Sequence, residues 1–259
     1  MNSAAPAHIE IRDLTMAYGS RVIQQDLSFD IQRGDIFVIM GGSGCGKSTL
    51  LKHLLGLIEP SVGDILYSGT SFTHAQSTQR DAMRQTWGIT YQSGGLFSAM
   101  SLSQNVSLPL QLYTNHTPAE VADIVAYKLA LVGLAGYQEY YPSEISGGMR
   151  KRAALARAIA LDPEILFFDE PSAGLDPISS RLLDDLIAQL QESLGATVVM
   201  VTHELPSIFA IANNSVYLDA KTQTMIATGD PKELRDHNDQ PVVRQFLNRG
   251  SSTASKEQV

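Results

Sequence analysis

The sequence of 259 residues contains a single cysteine, Cys45. One cysteine cannot form an intramolecular disulfide, so the chain fits a reducing compartment better than an oxidising one. No long basic run accompanies the formal net charge of −8. Because binding to a nucleic-acid backbone needs a concentrated positive surface, nucleic acid is disfavoured as a partner.

The sequence also lacks the hydrophobic segments that membranes require. It has no stretch of about 18 apolar residues, so the chain is not expected to span a bilayer. Residues 1–8 have neither a basic start nor an apolar run, so no secretory signal is expected. Any membrane role must therefore come through a partner. The remaining composition, 44% hydrophobic and 18% charged, is that of an ordinary globular protein.

Three continuously apolar runs predict strands that are buried on both faces of a parallel sheet: 36–40, 165–168 and 198–201. Each run is followed by glycine or polar residues. Because ligands of open α/β sheets lie beyond the carboxyl ends of the strands, all three ends are expected to face one site. Alternating segments within residues 8–35, and another near 64–69, predict a small antiparallel sheet at the front of the domain.

The segment between the first two buried runs is predicted to be helical. Thr117 and Glu120 form a capping box that starts a helix, and Gly133 can end it. The last ten residues are small and polar and are expected to be disordered. The predicted domains are a nucleotide-binding α/β core with an antiparallel β-subdomain at 8–92 and 161–230, an inserted helical subdomain at 93–160, and a C-terminal extension at 231–259.

A match to the phosphate-binding pattern G-x-x-x-x-G-K-[ST] follows the first buried run. The nucleotide-binding residues that it predicts are Gly41, Gly42, Ser43, Gly44, Cys45, Gly46, Lys47, Ser48 and Thr49. The glycines let backbone N–H groups form an anion nest, and the next helix contributes its positive end. Lys47 is expected to reach the β- and γ-phosphates, and Ser48 to bind Mg²⁺. The alternative is a plain glycine-rich turn, which the flanking strand and apolar helix disfavour.

The other two buried runs end in residues suited to hydrolysis. Asp169 and Glu170 follow the second run, where two carboxylates are costly unless a cation or a substrate proton accompanies them. Asp169 is expected to hold Mg²⁺, and Glu170 to orient and deprotonate the attacking water. A solvated strand end is the alternative. His203 ends the third run, and its position indicates a donor to the γ-phosphate.

The run Ile145-Ser146-Gly147-Gly148-Met149 resembles the signature motif of the ABC ATPases, usually written L-S-G-G-Q. Taken alone, this run could be a glycine turn that caps a helix. The chain is similar to that family over roughly residues 8–230, with every motif in the expected order. The resemblance implies an α/β fold: a P-loop NTPase (RecA-like) core with a parallel sheet, an N-terminal antiparallel β-subdomain and an inserted helical subdomain. It also implies hydrolysis of ATP with Mg²⁺.

The same resemblance implies further site residues. Tyr18 occupies the position of an aromatic that stacks on adenine, and Gln92 that of a glutamine reaching Mg²⁺ and the attacking water. Members of the family work as pairs that sandwich ATP. A second copy of the chain is therefore implied, with Ser146, Gly147 and Gly148 acting on ATP bound at Lys47 of the other copy.

Three stretches resemble one group of the family, the ATPases of phospholipid transport. They are the sequence S-G-G-M followed by a basic pair at 146–151, Q-S-G-G-L-F at 92–97, and P-V-V-R-Q-F-L at 241–247. Membership of this group implies a location at the cytoplasmic face of the inner membrane, held there by partners. Those partners would be a membrane permease, a small STAS-domain protein and an MCE-domain protein.

Several alternatives stay open at the level of sequence. The cargo could be an amino acid or a metal, or the chain could be a soluble ABC ATPase acting on DNA or ribosomes. The single cassette and the ordinary insertion disfavour the soluble class. The apolar residues of segment 96–102 can receive the permease or belong to the core of the helical subdomain. The 241–247 tail can instead be a short amphipathic helix that packs on its own domain.

Overall fold

A computed structural model of the protein describes residues 7–249. Within these residues the chain forms two compact units, one of residues 7–80 with 199–249 and the other of residues 81–198. The predicted disordered end, 250–259, lies outside the described residues, and the predicted domain boundaries at 92, 160 and 230 stay a prediction. No helix within residues 7–249 has the length and apolar character needed to cross a membrane.

The strands of the described chain are β1 Ile9–Tyr18, β2 Arg21–Ile31, β3 Ile36–Gly41, β4 Val62–Tyr67, β5 Thr70–Ser71, β6 Trp87–Thr90, β7 Ile165–Asp169, β8 Thr197–Val201, β9 Asn214–Asp219 and β10 Thr224–Thr228. The helices are α1 Lys47–Leu54, α2 Ser77–Arg84, α3 Leu102–Tyr113, α4 Pro118–Leu131, α5 Gly147–Ala158, α6 Pro177–Leu194, α7 Leu205–Ile211, α8 Pro231–His237 and α9 Pro241–Leu247. A 3₁₀ turn, Pro142–Glu144, precedes α5.

The first unit contains the predicted antiparallel sheet, in the order β2-β1-β4-β5. Ile9 pairs with Ile31 and Ile11 with Phe29, and these side chains are buried on one face. This alternation is what the sequence indicated, because side chains of a strand point to opposite faces in turn. The predicted antiparallel sheet is confirmed, and its strands β1 and β2 are 10 and 11 residues long.

A second sheet of the first unit places the phosphate-binding segment. Its strand β3 pairs in parallel with β9, and β9 pairs antiparallel with β10. Strand β8 is the other neighbour of β3. Every residue of β3 and of β8 is buried, which confirms two of the three predicted buried strands.

The C-terminal helix α9 packs on this same sheet. Val243, Phe246 and Leu247 are buried, and the ring centroid of Phe246 lies 5.3 Å from that of Tyr217 in β9. The tail segment therefore forms the short helix that the sequence left open as an alternative, packed on its own unit.

The second unit combines a parallel pair of strands with a helical group. Strand β7, the third predicted buried strand, pairs in parallel with β6. Helices α3, α4 and α5 pack on one another.

Helix α4 has the predicted capping box: the side chain of Thr117 accepts from the Glu120 N–H, and the carboxylate of Glu120 accepts from the Thr117 N–H at 2.7 Å. Helix α6 starts where Asp176 accepts from the N–H groups of Ile178 and Ser179.

Helix α5 begins earlier than helix propensity indicates. Glycine disfavours helix interiors, which predicts a start after Gly148, whereas the helix starts at Gly147. The physical reason is the cap. The Ser146 hydroxyl accepts the Met149 N–H at 3.2 Å, which places both glycines in the first turn of the helix.

Candidate functional site

The phosphate-binding loop lies between β3 and α1 in the first unit. Gly41, Gly44 and Gly46 have φ values of 146°, 76° and 102°, which are costly for other residues. Gly41 is also tightly enclosed. A Cβ there would lie 2.4 Å from the carbonyl oxygen of Leu218 and 2.5 Å from Cys45 Sγ. The loop therefore needs glycine at Gly41 both for its conformation and for the close approach of β9.

Lys47 is the first residue of α1, and its side chain folds back over the loop. Its Nζ donates to the carbonyl oxygens of Gly41 and Gly42, both at 3.0 Å. Ser48 is exposed and Thr49 is half-buried, so neither lies in the core. An ammonium group, a hydroxyl group and the positive end of a helix thus adjoin one glycine-rich loop, which is the chemistry that binds phosphate.

Cys45 and Gln24 support this loop from within. Cys45 is 1% exposed, and burial raises the pKa of its thiol, so its side chain fills the interior of the loop and only its backbone can face a ligand. Gln24 in β2 is fully buried, and its Nε2 donates to the carbonyl oxygens of Cys45 at 2.8 Å and of Asp219 at 3.0 Å. Sequence reasoning missed Gln24. The alternation of Leu27, Phe29 and Ile31 does not mark it, because Gln24 is out of phase with these residues and turns inward only after a register shift in the β1–β2 pairing.

Tyr18 and His203 also belong to the first unit. Tyr18 is the last residue of β1, next to the turn into β2, and is 49% exposed. Its ring is therefore accessible to a flat ligand. His203 follows β8 and has an exposed side chain, with Nε2 3.6 Å from Glu204 Oε1. Both residues lie at strand ends, and this position was predicted for His203.

In the second unit the two carboxylates end the buried strand β7. Asp169 is its last residue, and Glu170 follows with φ of 50°, a left-handed conformation that is uncommon for a residue other than glycine. Lys151 of α5 donates from Nζ to the carbonyl oxygens of Pro171 at 2.5 Å and Ala173 at 2.7 Å. Burial lowers the pKa of Lys151, and the nearby charge of Glu170 opposes this effect.

Gln92 lies in an exposed segment that follows β6. The next turn, at Gly94 and Gly95, is held by Arg157 of α5. Its Nη1 donates to the Gly95 carbonyl oxygen at 2.8 Å and its Nη2 to that of Gly94 at 3.3 Å. The guanidinium also lies 5.9 Å from the ring centroid of Phe97. Arg157 is a second residue that sequence reasoning missed.

The signature segment forms the start of α5. Ser146 is exposed, and Gly147 and Gly148 are half-buried, so the first turn presents a hydroxyl and bare backbone. Arg150 donates from Nη1 to the Ile145 carbonyl oxygen at 2.7 Å. A hydroxyl, two glycines and a helix of 12 residues form an anion-binding surface of the kind that the sequence indicated.

The predicted site residues thus fall into two sets. The first unit contains Tyr18, the phosphate-binding loop and His203. The second unit contains Gln92, Asp169, Glu170 and the signature segment 146–148. Asp169, Glu170 and His203 follow or end the buried strands where the sequence placed them, and the individual roles of all these residues stay predictions.

Comparisons with known proteins agree with this geometry. The sequence model of the family described as ABC transporter matches residues 24–173. The intermembrane phospholipid transport ATP-binding protein MlaF of Haemophilus influenzae is 41% identical over 239 residues, covering 92% of this chain and 89% of that protein. Escherichia coli MlaF is 40% identical over 239 residues, covering 92% of this chain and 88% of that protein.

A relative named for a different cargo is similar to a comparable degree. The probable ribonucleotide transport ATP-binding protein mkl of Mycobacterium leprae is 42% identical over 240 residues, covering 93% of this chain. The chain spans 68% of the length of that relative.

Solved structures show the same fold. A dimeric ATP-binding cassette in a post-hydrolysis state with ADP and phosphate superposes with a TM-score of 0.75 at 25% identity, covering 86% of this chain and 98% of that one. CbiO1 of Clostridium perfringens, part of an ABC transporter complex, gives a TM-score of 0.81 at 27% identity, covering 93% and 94%. The family match, these likenesses and the two sets of motif residues agree: the chain belongs to the ABC transporter family, as an ATP-hydrolysing subunit.

Proposed function

We propose that this subunit drives the movement of phospholipid between the inner and outer membranes, as a pair of copies that acts on a membrane permease. One observation carries the ATP-driven pairing. A helix start with Ser146, Gly147 and Gly148 offers a second phosphate-binding surface besides the loop at Lys47. One chain therefore has two surfaces for the phosphates of ATP. Two copies arranged symmetrically can each bind ATP between the loop of one copy and the signature of the other.

We assign the chemistry of hydrolysis as follows. Lys47 and the loop N–H groups bind the phosphates, and Tyr18 stacks on the adenine. Glu170 orients the attacking water and takes its proton. His203 donates to the γ-phosphate and distinguishes ATP from ADP.

Mg²⁺ is the cofactor that these donors fit. Ser48 offers a hydroxyl, Asp169 a carboxylate and Gln92 an amide oxygen, and oxygen ligands of this kind are what Mg²⁺ prefers. The ion, when bound, neutralises charge that develops on the phosphates. Ser48, Gln92 and Asp169 would hold it together with the phosphates of ATP.

We further propose that the permease docks on the second unit. A groove of about 510 Å³ lies beside β6, lined by Trp87, Pro109, Tyr113 and Arg157, among others. Tyr113 is 56% exposed, so an apolar segment of a partner would cover it. Arg157 contacts the turn after Gln92, so a partner in the groove would lie next to the segment that carries a site residue.

The apolar segment 96–102 contributes to this surface only in part. Phe97 is 51% exposed and contacts Arg157, whereas Leu102 is fully buried in the core. The core alternative is therefore right for Leu102. Phe97 is the residue of this segment that we assign to the docking surface.

The remaining partners follow from the likeness to MlaF. We propose a permease of the MlaE type, a STAS-domain protein of the MlaB type and an MCE-domain protein of the MlaD type. The chain would then lie at the cytoplasmic face of the inner membrane, attached through these partners, with no nucleic acid bound. The likeness to mkl supports a second candidate cargo, a ribonucleotide.

Purification of the chain with its native membrane complex tests the cargo. We expect a permease and an MCE-domain protein to co-purify, with phospholipid identified in the extract by mass spectrometry. Bound ribonucleotide other than ATP and ADP, with no phospholipid, would support the second candidate. Recovery of the chain with ribosomes or DNA in place of a permease would contradict both cargoes.

The substitution Glu170→Gln tests the assignment of the base. An amide preserves the shape of the side chain but cannot accept the proton, so the variant should bind ATP, form stable pairs and hydrolyse ATP very slowly. Pairing is measured by light scattering with and without ATP. Normal hydrolysis by this variant would show that another group deprotonates the water.

A further inference from the structure

Several cationic side chains of helix α5 donate hydrogen bonds to backbone carbonyl oxygens of loops. Arg150 donates to the signature segment, Arg157 to the turn after Gln92, and Lys151 to the turn after Glu170. Of these, Lys151 makes the most contacts. Its Nζ lies 2.5 Å from the Pro171 oxygen, 2.7 Å from the Ala173 oxygen and 3.5 Å from the Glu170 oxygen. One ammonium group can donate three hydrogen bonds, so Lys151 uses its full capacity on this turn.

The turn that Lys151 holds is tight and strained. Glu170 has φ of 50°, and the Ala173 N–H donates back to the Glu170 carbonyl oxygen at 3.2 Å. Left-handed backbone at a residue with a side chain persists only where the surroundings stabilise it. The hydrogen bonds from Lys151 to the three carbonyl oxygens stabilise this conformation, because they would be lost if the turn relaxed. The direction of the Glu170 side chain depends on this backbone conformation.

We propose that Lys151 is a positioning residue for ATP hydrolysis: it fixes the backbone of the 170–173 turn and thereby aims the Glu170 carboxylate. The inference rests on the proposed role of Glu170 as the base. Lys151 follows Ser146 by five residues on the same helix. The contact therefore also links the helix start that acts on ATP of the other copy to the residue that activates water.

The test replaces Lys151 by Met, which has similar length but no donor, and by Arg, which keeps charge and donors. The full chain is assayed in the membrane complex that purifies with it, and rates are expressed per ATP-binding chain so that unfolded protein does not count. We expect Lys151→Met to lower kcat by roughly tenfold to a hundredfold, the range typical of a small misplacement of a reacting group, with KM for ATP little changed. Lys151→Arg should recover most of kcat.

Lys128→Met is the matched control, because Lys128 is a buried lysine of the same unit that pairs with Asp162, remote in sequence from the motifs. It should lower the melting temperature and leave kcat unchanged. An equal fall of kcat in Lys128→Met and Lys151→Met would show that both act only through stability. A normal kcat for Lys151→Met would overturn the inference directly.

A double substitution separates this inference from the proposed role of Glu170. If Lys151 acts through Glu170, adding Lys151→Met to Glu170→Gln should not lower the residual rate further, because residues that act as a unit are not additive. A further fall of similar size would overturn the inference and leave the base assignment intact. Near-normal hydrolysis by Glu170→Gln alone would contradict the base assignment, and the inference with it.

Discussion

At the scale of single residues, Gly41 shows how the phosphate-binding loop depends on space as well as on backbone angle. Its missing Cβ lets the Leu218 carbonyl of β9 and the Cys45 sulfur approach the loop. We predict that Gly41→Ala weakens ATP binding at least about tenfold and destabilises the fold by roughly 1–3 kcal/mol beyond the backbone cost, as overpacking does. Isothermal titration and denaturant unfolding measure the two effects.

Gly69→Ala is the control for that substitution. Gly69 has φ of 78°, but no heavy atom lies within 4 Å of the place where the alanine methyl group would be, so the variant carries backbone strain without the clash. It should cost only about 1–2 kcal/mol and leave ATP binding unchanged. If both substitutions changed ATP affinity and the free energy of unfolding equally, the close approach of β9 to Gly41 would not contribute to either.

His53 gives the protein a dependence of stability on pH. It is 1% exposed in α1, and burial lowers the pKa of its imidazole. Below about pH 6.5 the unfolded chain then takes up the proton more readily than the folded chain, so the free energy of unfolding falls as pH decreases. We predict that His53→Met removes part of this fall. Urea unfolding of both proteins at several pH values from neutral to mildly acidic tests it, and parallel curves would contradict the prediction.

Functional residues that could be predicted from the sequence make a different kind of contact from those that could not. Lys47, Glu170 and Ser146 belong to motifs whose chemistry needs fixed side chains at fixed spacing. Gln24 and Lys151 instead donate to backbone carbonyls of segments far along the chain. Every residue type offers such a carbonyl, so no sequence pattern marks the acceptor, and these contacts become visible only in the folded chain.

At the scale of elements, strands and helices with a strong local signal were predictable. The apolar run of β7 and the capping box of α4 each have a cause within a few residues. The start of α5 did not follow from propensity, because the Ser146 cap outweighs the cost of two glycines. Strands β9 and β10 were not predicted. Strand β9 pairs in parallel with β3, which is distant in sequence, and β10 forms a hairpin with β9.

Helix α5 also offers a matched pair of arginines for a test of loop control. Arg157 donates to the carbonyls of Gly94 and Gly95, and Arg152 to those of Val132 and Gly133. We predict that Arg157→Met speeds hydrogen exchange in the segment after Gln92 and leaves residues 130–134 unchanged. Arg152→Met should do the reverse. Hydrogen exchange measured by mass spectrometry tests this prediction. A uniform increase in exchange along the chain in either variant would show that the arginine does not stabilise its own loop specifically.

At the scale of the whole molecule, each active site is expected to need two copies of the chain. We predict that Gly148→Asp retains ATP binding, because Lys47 and its loop are intact, but loses most hydrolysis. The new carboxylate repels the γ-phosphate offered by the other copy, while an acid in the first turn is compatible with a helix start. Lys47→Ala should instead lose ATP binding itself. Binding of a fluorescent nucleotide measures ATP binding, and phosphate release measures hydrolysis, so the two assays distinguish Gly148→Asp from Lys47→Ala. Normal hydrolysis by Gly148→Asp would contradict an active site shared between two copies.

The packing of α9 has a genetic consequence. Its side chains Val243, Phe246 and Leu247 cover the sheet at Tyr217, and Tyr217 pairs with Met40, the residue before the phosphate-binding loop. A nonsense mutation at codon 240 would remove all three and uncover apolar surface beside the strand that carries the loop. A stop at codon 250 would spare them. Null alleles should therefore extend into the final coding segment up to Leu247, although no residue assigned to ATP binding or hydrolysis lies within about 40 codons of it.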